Sequence, residues 1–466
     1  MKKILINGLV MASLALGSCQ QFLDIRQPDV TPYDKALNDV NNVEALMRTT
    51  YNDLQGYNNF VRSSTMFGDE VDISRQSQDQ FGADYITRNF GRFNGIGEGL
   101  WSVGYSGIFR SNQIIKATLA NEYSTSAPIR SRLLGEAYFI RGFMHFELCR
   151  QFALPYSAGK TKPGVVIRTV APAFADEVQV VPRATLEATY GQAIADIKAS
   201  LDLLPETPAN GRLGKDAARA ALARIYFSMV EDGSSANYQE AKTYCDQLVQ
   251  SGKYKITLPM NAFNFDISRR GIIKADTGTI FELTNTLSDD AGGSLAGAFW
   301  GNTADNVFTP ILTGPGSLLV ALRNYGGLRY DTLVLNRDGA RPYTAKYSGG
   351  TGIPFKNTPV FRYAEVLLTR AEANLQVGGD VATSLADLNA VQTAARAPLT
   401  TTTDRDQLLD AIRLERRVEL HLEGDRYHEL RRLKSTNIRG ASYNDSKSFF
   451  QIPNSEQRAN PTIELN

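Results

Sequence analysis

The stretch FRYAEVLLTRAEANLQVGGDVATSLADLNAVQTAARA, Phe361 to Ala397, admits few folds. Apolar and small side chains recur every three or four residues on both sides of Gly378-Gly379. That spacing predicts two amphipathic helices folded back on each other at a glycine turn. The small residues Ala371 and Ala373, with Ala382 to Leu388 across the turn, let the two helices approach closely. The same pattern recurs along the chain. Ser131–Phe152, stopped by Pro155, pairs with Thr185–Leu204, which ends before Pro205. Lys215–Glu231, dense in alanine, pairs with Tyr238–Ser251. Asp404–Glu423 pairs with Asp425–Leu433, with Gly424 suited to a left-handed cap between them and Asp425 to capping the second helix. Two single helices are expected earlier, at Asp39–Leu54 and Trp101–Leu119.

Four helical hairpins result, covering about 131–252 and 359–434, and the Phe361–Ala397 pair resembles a tetratricopeptide unit. The fold class is therefore mainly α, with loop-rich inserts carrying short strands. The longer insert runs from about 254 to 358, where glycine and asparagine are frequent and TIFELT, Thr279 to Thr284, reads as a strand. The shorter one, about 60–100, is polar and loop-rich, with Phe67, Phe81, Tyr85, Phe90 and Phe93 along it. A helical solenoid needs neither for its own stability. Long excursions on a rigid scaffold are where binding tends to reside.

The first eighteen residues read as a secretory leader: Lys2 and Lys3, then an apolar run from Ile4 to Leu16 that is too short to span a bilayer. It ends in Leu16-Gly17-Ser18-Cys19, which resembles the bacterial lipobox. Cys19 is thus expected to carry lipid and to tether the body formed by residues 19–466, and Gln20 behind it is compatible with delivery to an outer membrane. The other two cysteines, Cys149 and Cys245, lie on helical patterns without metal-ligand spacing and are expected as buried thiols.

Charge excludes one class of partner. Lys and Arg number 50 against 49 Asp and Glu, so no basic excess points to nucleic acid. His421 and His428 are seven residues apart across a helix break, which is not the spacing of a zinc helix, and no metal or cofactor is expected. Glu415, Glu419 and Glu423 repeat every four residues and would repel unless cations from elsewhere meet them, so ERRVELHLEGDRYHELRR reads as an ion-pair network joining the last hairpin to its neighbours. The acid pairs Asp69-Glu70 and Asp289-Asp290 are adjacent in sequence and point apart. A glycosidase needs carboxyls about 5 to 9.5 Å apart across a cleft. With no nucleophile motif around the three histidines, catalysis is not expected.

Six strings, in order, carry a wider resemblance: CQQFLDIRQPD, WSVGYSGIFRSNQIIK, GEAYFIRGFMHFELCRQFALPY (with Gly142 and His145 as variants), FRYAEVLLTRAEA with ADLNAVQTAA, IRLERRVELHLEGDRYHELRRL, and FQIPNSEQRANP. Together they make the chain similar to the SusD/RagB family of nutrient-uptake outer-membrane lipoproteins from Bacteroidetes. The resemblance implies four tetratricopeptide-like helix pairs with a variable ligand side. It also implies a SusC-type TonB-dependent transporter as partner, an oligosaccharide or peptide as cargo, and no catalysis. Only Asp24 and Asp29 follow the cysteine closely, so exposure at the cell surface is implied by the family alone. A lipoprotein scaffold that binds only protein is the alternative.

Sugar recognition needs a flat apolar face and planar polar groups that meet hydroxyls. Trp300 in the glycine-rich GSLAGAFWGNTADN is the expected platform, with Asn302, Asp305 and Asn306 beside it. Asp69, Arg75, Tyr85 and Asn94 are the candidates from the shorter insert, whereas Trp101 lies on a helical pattern and is expected in the core.

Overall fold

The computed structural model describes residues 36–72, 80–172, 179–209, 211–231, 234–263, 277–284, 311–337, 342–347 and 357–465. Side-chain caps set where several helices begin. Asp39 accepts the Asn41 amide and opens α1 (Val40–Gln55). After α2 (Tyr57–Phe67) and α3 (Gln80–Thr87), the side chain of Asn94 accepts the amides of Ile96 and Gly97 and opens α4 (Gly95–Leu119). Then come α5 (Ala127–Phe152), α6 (Leu186–Leu203, capped by Thr185), α7 (Lys215–Ser228) and α8 (Ala236–Gln250).

Small residues decide how closely these helices pack. A Cβ on Gly104 of α4 would lie 2.8 Å from Leu148 of α5, and one on Gly142 of α5 would lie 2.8 Å from Asp196 of α6. The close approach at Gly142 brings Arg141 onto Asp196 in two hydrogen bonds of 2.8 and 2.6 Å, both side chains buried. The alanines of α7, Ala217, Ala218, Ala220, Ala221 and Ala223, are all buried. Trp101 is in the core, against Tyr105 and Phe152. Cys149 and Cys245 are free and buried, and burial pushes the Cys149 thiol up to about 12. No helix among the described residues is long and apolar enough to cross a membrane.

The chain from α8 onward begins with β1 (Thr279–Leu283), followed by α9 (Leu318–Tyr325), α10 (Leu328–Leu333), β2 (Val334–Leu335), β3 (Tyr343–Thr344) and β4 (Thr358–Arg362). β1 pairs antiparallel with β4, Thr279 opposite Arg362 and Leu283 opposite Thr358, while β2 pairs with β3. Two helix pairs close the chain, α11 (Tyr363–Gln376) with α12 (Val381–Ala394), and α13 (Arg405–Glu419) with α14 (Asp425–Arg432). The short α15 (Asn454–Ala459) follows. Asp380 caps α12 and Asp404 caps α13.

Two elements depart from the sequence reading. The stretch expected as loop from residue 62 onward includes helical turns of α2 and all of α3. In α2 the polar residues Asn58, Ser63, Ser64 and Thr65 are buried along with the apolar ones, so a run that reads as polar loop in the sequence is packed inside a helix. In the last pair, α13 ends at Glu419 rather than Glu423. Gly424 does take a left-handed conformation (φ 79°), 3.1 Å from Val61 Cα at its would-be Cβ, but it is the residue before α14. Asp425 makes no capping bond. Its carboxylate takes the guanidinium of Arg416 at 2.8 and 2.6 Å.

The glutamates of α13 meet their cations from other segments. Arg329 of α10 donates to Glu415 at 2.5 Å and Glu419 at 2.8 Å. Arg362, the last residue of β4, donates to Glu419 at 2.6 Å and to Glu423 at 2.8 and 2.7 Å. Lys346, just past β3, donates to Glu423 at 2.6 Å and to the Glu419 carbonyl at 2.7 Å. Burial alone would protonate Glu419, but Arg362, Arg329 and Lys346 hold it down at about 2. Arg416 belongs to the same buried system and also donates to Thr369. Removing one partner of a buried pair leaves an uncompensated charge. Arg416→Ala is therefore expected to lower the unfolding free energy by about 3–5 kcal/mol in a denaturant titration. A loss under about 1 kcal/mol, the size of an exposed pair, would overturn this.

Candidate functional site

α1 runs antiparallel to α4, with Asp53 against Arg110 near its end and Glu44 against Arg132, at the start of α5, near its beginning. α2 continues from it, and Gly68 ends that helix against the backbone of Tyr427 at the start of α14. Here several loop roots converge. Val71 forms an antiparallel bridge with Ile311, and the Leu312 amide donates to the Glu70 carbonyl at 2.8 Å. The Ile311 amide donates to the Pro342 carbonyl at 2.7 Å, and the Arg439 guanidinium binds the carbonyls of Gly68 and Val71. Val71, Ile311 and Pro342, which flank segments 73–79, 285–310 and 338–341, therefore meet at one place, while Thr284, on the other flank of 285–310, accepts Gln55 of α1. Arg75, Trp300, Asn302, Asp305 and Asn306 fall on the first two segments and lie outside the described residues, as does Cys19.

The three described candidates from the shorter insert are all engaged within the protein. Asp69 accepts Arg426 at 2.9 and 3.1 Å, with Arg417 at 3.6 Å; burial opposes its charge, yet Arg426 and then Arg417 bring it below the ordinary carboxylate value. Tyr85 is 3% exposed, donates its hydroxyl to Ser63 at 2.7 Å, and packs edge-on against Phe67 and Phe90. Asn94 is the cap of α4 and donates to Asp84 at 2.7 Å and to the Asn89 carbonyl at 2.9 Å. The burial of Tyr85 corrects its expected role: its ring offers no open face for a sugar.

Among the described aromatic side chains of the shorter insert, Phe93 faces outward, 74% exposed, with the Arg92 guanidinium carbon 4.9 Å from its ring centre. It lines an open cavity of about 600 Å³ with Asn59, Asp84, Gly95, Ile96, Gly99 and Leu100. Polar side chains at the wall and an apolar plate beside it suit a hydroxylated ring. Phe93 stands one residue before a helix cap. Its place beside a helix cap was the one local signal; that Phe67, Tyr85 and Phe90 are buried while Phe93 is not is set by tertiary packing.

Glu70 sits beneath these roots, fully buried. One carboxylate oxygen accepts the Leu422 amide at 3.2 Å and the other has no partner among the described residues. His145 and His421 are buried and His428 is half-buried, and desolvation holds each imidazole well below its ordinary value. Among the described residues no cluster of three His, Cys, Asp or Glu side chains could hold a metal ion.

Comparison with known proteins decides the lineage. Residues 21–227 match a family model described as starch-binding associating with outer membrane, and residues 321–464 match the model of the SusD family. The chain belongs to the SusD/RagB family. SusD-like protein P2 of Formosa agariphila is 24% identical over 79% of this chain and 78% of its own, and SusD-like protein P38 of the same organism is 22% identical over 92% and 91%. A SusD superfamily protein from Bacteroides thetaiotaomicron has a TM-score of 0.77 over 92% of this chain and 99% of its own, at 24% identity. A SusD-like carbohydrate binding protein from Bacteroides vulgatus has a TM-score of 0.74 over 91% and 97%, at 17% identity. The helical hairpins described above are thus the SusD fold. SusD-family proteins are binding proteins associated with the outer membrane, and a nutrient- or sugar-binding role comes with the family.

Glu70 makes the root region pH-sensitive. Burial first, and then Asp69, raise its carboxyl to about 8. Its folded value lies above its unfolded one, so the stability it contributes is full below pH 4.5 or so. That contribution is lost as pH rises toward 8, at a slope on the order of 1.4 kcal/mol per pH unit. Wild-type protein is expected to lose more stability between pH 5 and pH 9 than Glu70→Gln, measured as midpoint shifts in denaturant. Equal slopes for the two proteins would contradict the assignment.

Proposed function

We propose that this SusD-family protein captures an oligosaccharide on its loop-bearing face and passes it to a SusC-type TonB-dependent transporter, held at the outer membrane by lipid on Cys19. The observation that carries the reading is the outward-facing Phe93 with its cavity on the shorter insert, and the described ends of both inserts meet at the Val71–Ile311 bridge. Stacking on Phe93 supplies apolar contact to a sugar face, Asn59 at the cavity wall offers hydrogen bonds, and Arg92 lies against the Phe93 ring. Trp300, Asn302, Asp305, Asn306 and Arg75 lie outside the described residues and remain proposed ligand contacts.

Binding without turnover fits the acids described. Asp69 is neutralised by Arg426, and Glu70 is fully enclosed, so the pair does not form two carboxyls facing each other across a cleft. Retention on immobilised glycan gels is expected to fall at least several-fold for Phe93→Ala and for Trp300→Ala, with unchanged melting temperatures. Wild-type retention by both variants would remove the platform. Membrane pulldown is expected to recover a TonB-dependent barrel with the lipidated protein, and recovery of other proteins only would favour the scaffold alternative. Turnover of any glycan by the purified protein would end the non-enzyme reading.

A further inference from the structure

α1 presents a second polar stripe. Arg48, Tyr51, Asn52 and Gln55 recur at positions i, i+3, i+4 and i+7, so they share one helix face. Together with Gly211, Arg212, Leu283 and Thr284 they line a cavity of about 260 Å³, below the roughly 300–1,000 Å³ of drug-sized sites and on the scale of one sugar ring.

The groups around it are unevenly committed. Arg212 is neutralised by Glu44 at 3.3 Å and Glu136 at 3.1 Å, and its guanidinium carbon lies 5.0 Å from the Tyr51 ring centre. The Tyr51 hydroxyl accepts the Leu213 amide at 3.0 Å. Gln55, 5% exposed, donates to the Thr284 carbonyl at 2.8 Å, but its amide oxygen is buried and has no donor among the described residues. Arg48 and Asn52 are exposed and make no hydrogen bond or ion pair among the described residues. The cavity therefore offers one unneutralised guanidinium, one free amide and one acceptor lacking a donor, beside the buried Leu283 side chain.

A guanidinium fork binds a carboxylate through two parallel hydrogen bonds, and amide groups bind hydroxyls. A sugar carrying a carboxylate presents both. We propose that this cavity is a second subsite that takes one uronate residue of the captured glycan, with Arg48 on the carboxylate and Asn52 on the ring hydroxyls; a ligand hydroxyl supplies the donor that Gln55 lacks. The inference rests on the glycan-capture reading and names its substrate class as acidic.

Its position supports a shared ligand. Gly56 keeps right-handed helical angles (φ −56°, ψ −15°) between α1 and α2. Asn52 at this cavity and Asn59 at the Phe93 cavity are seven residues apart, so they lie on one face, separated by roughly 10 Å of helix rise.

Calorimetric titration of the mature chain with galacturonate and glucuronate oligomers, against galactose and glucose oligomers of equal length, tests this. Wild-type protein is expected to bind an acidic oligomer at least ten-fold more tightly than its neutral counterpart. Arg48→Met and Asn52→Ala, both at exposed unbonded positions, are expected to keep the melting temperature, and Arg48→Met to abolish the preference. Neutral oligomers bound in a Phe93-dependent way without an acidic preference would overturn the subsite and leave glycan capture standing. An acidic preference that survives Arg48→Met would overturn it as well. Binding of neither class would overturn both readings.

Discussion

The buried carboxylate of Glu419 is the point on which the two kinds of structure in this protein depend. It accepts Arg329 from α10 on one oxygen and Arg362 from the end of β4 on the other, while its own carbonyl takes Lys346 from just past β3. Three segments, α10, the residue just past β3 and the end of β4, are thereby held on one turn of helix α13. Each of these charges would be costly to bury alone. Each is tolerable only when the others arrive, so helix and insert fold as partners. The Arg416–Asp425 pair extends the same logic to the final turn before α14.

That dependence explains what the sequence disclosed and what it withheld. The repeat of Glu415, Glu419 and Glu423 announced a need for cations, because three acids four residues apart cannot share a helix face unaided. It could not say that Arg329, Lys346 and Arg362 answer the need, since those residues lie between 57 and 90 positions away along the chain. Helices with a single apolar stripe and a polar cap, such as those opened by Asp39, Thr185, Asp380 and Asp404, were legible from local chemistry. α2 was not, because its polar residues Ser63, Ser64 and Thr65 are buried by tertiary packing, where the sequence alone shows only a polar run.

The candidate site was legible in outline and not in detail. Both inserts were recognisable as excursions that the helices do not require. Which aromatic on the shorter one turns outward depends on tertiary packing. Phe67, Tyr85 and Phe90 gather around Phe450, a residue near the other end of the chain, and among the described side chains of this insert Phe93 is the aromatic left with its ring exposed, beside the α4 cap. Asp69 and Asn94 have the chemistry of sugar ligands, yet Arg426 and Asp84 meet them first.

The Val71–Ile311 bridge carries a consequence for how such a protein diversifies. It is closed by main-chain groups, as are the neighbouring bonds from Leu312 to Glu70 and from Ile311 to Pro342. Every residue but proline supplies the same amide and carbonyl. The junction therefore places almost no demand on the side chains between its ends. Side chains at Val71, Ile311 and Leu312 can vary without removing these bonds, while the Arg439 guanidinium, on the carbonyls of Gly68 and Val71, is a side-chain clamp at this junction.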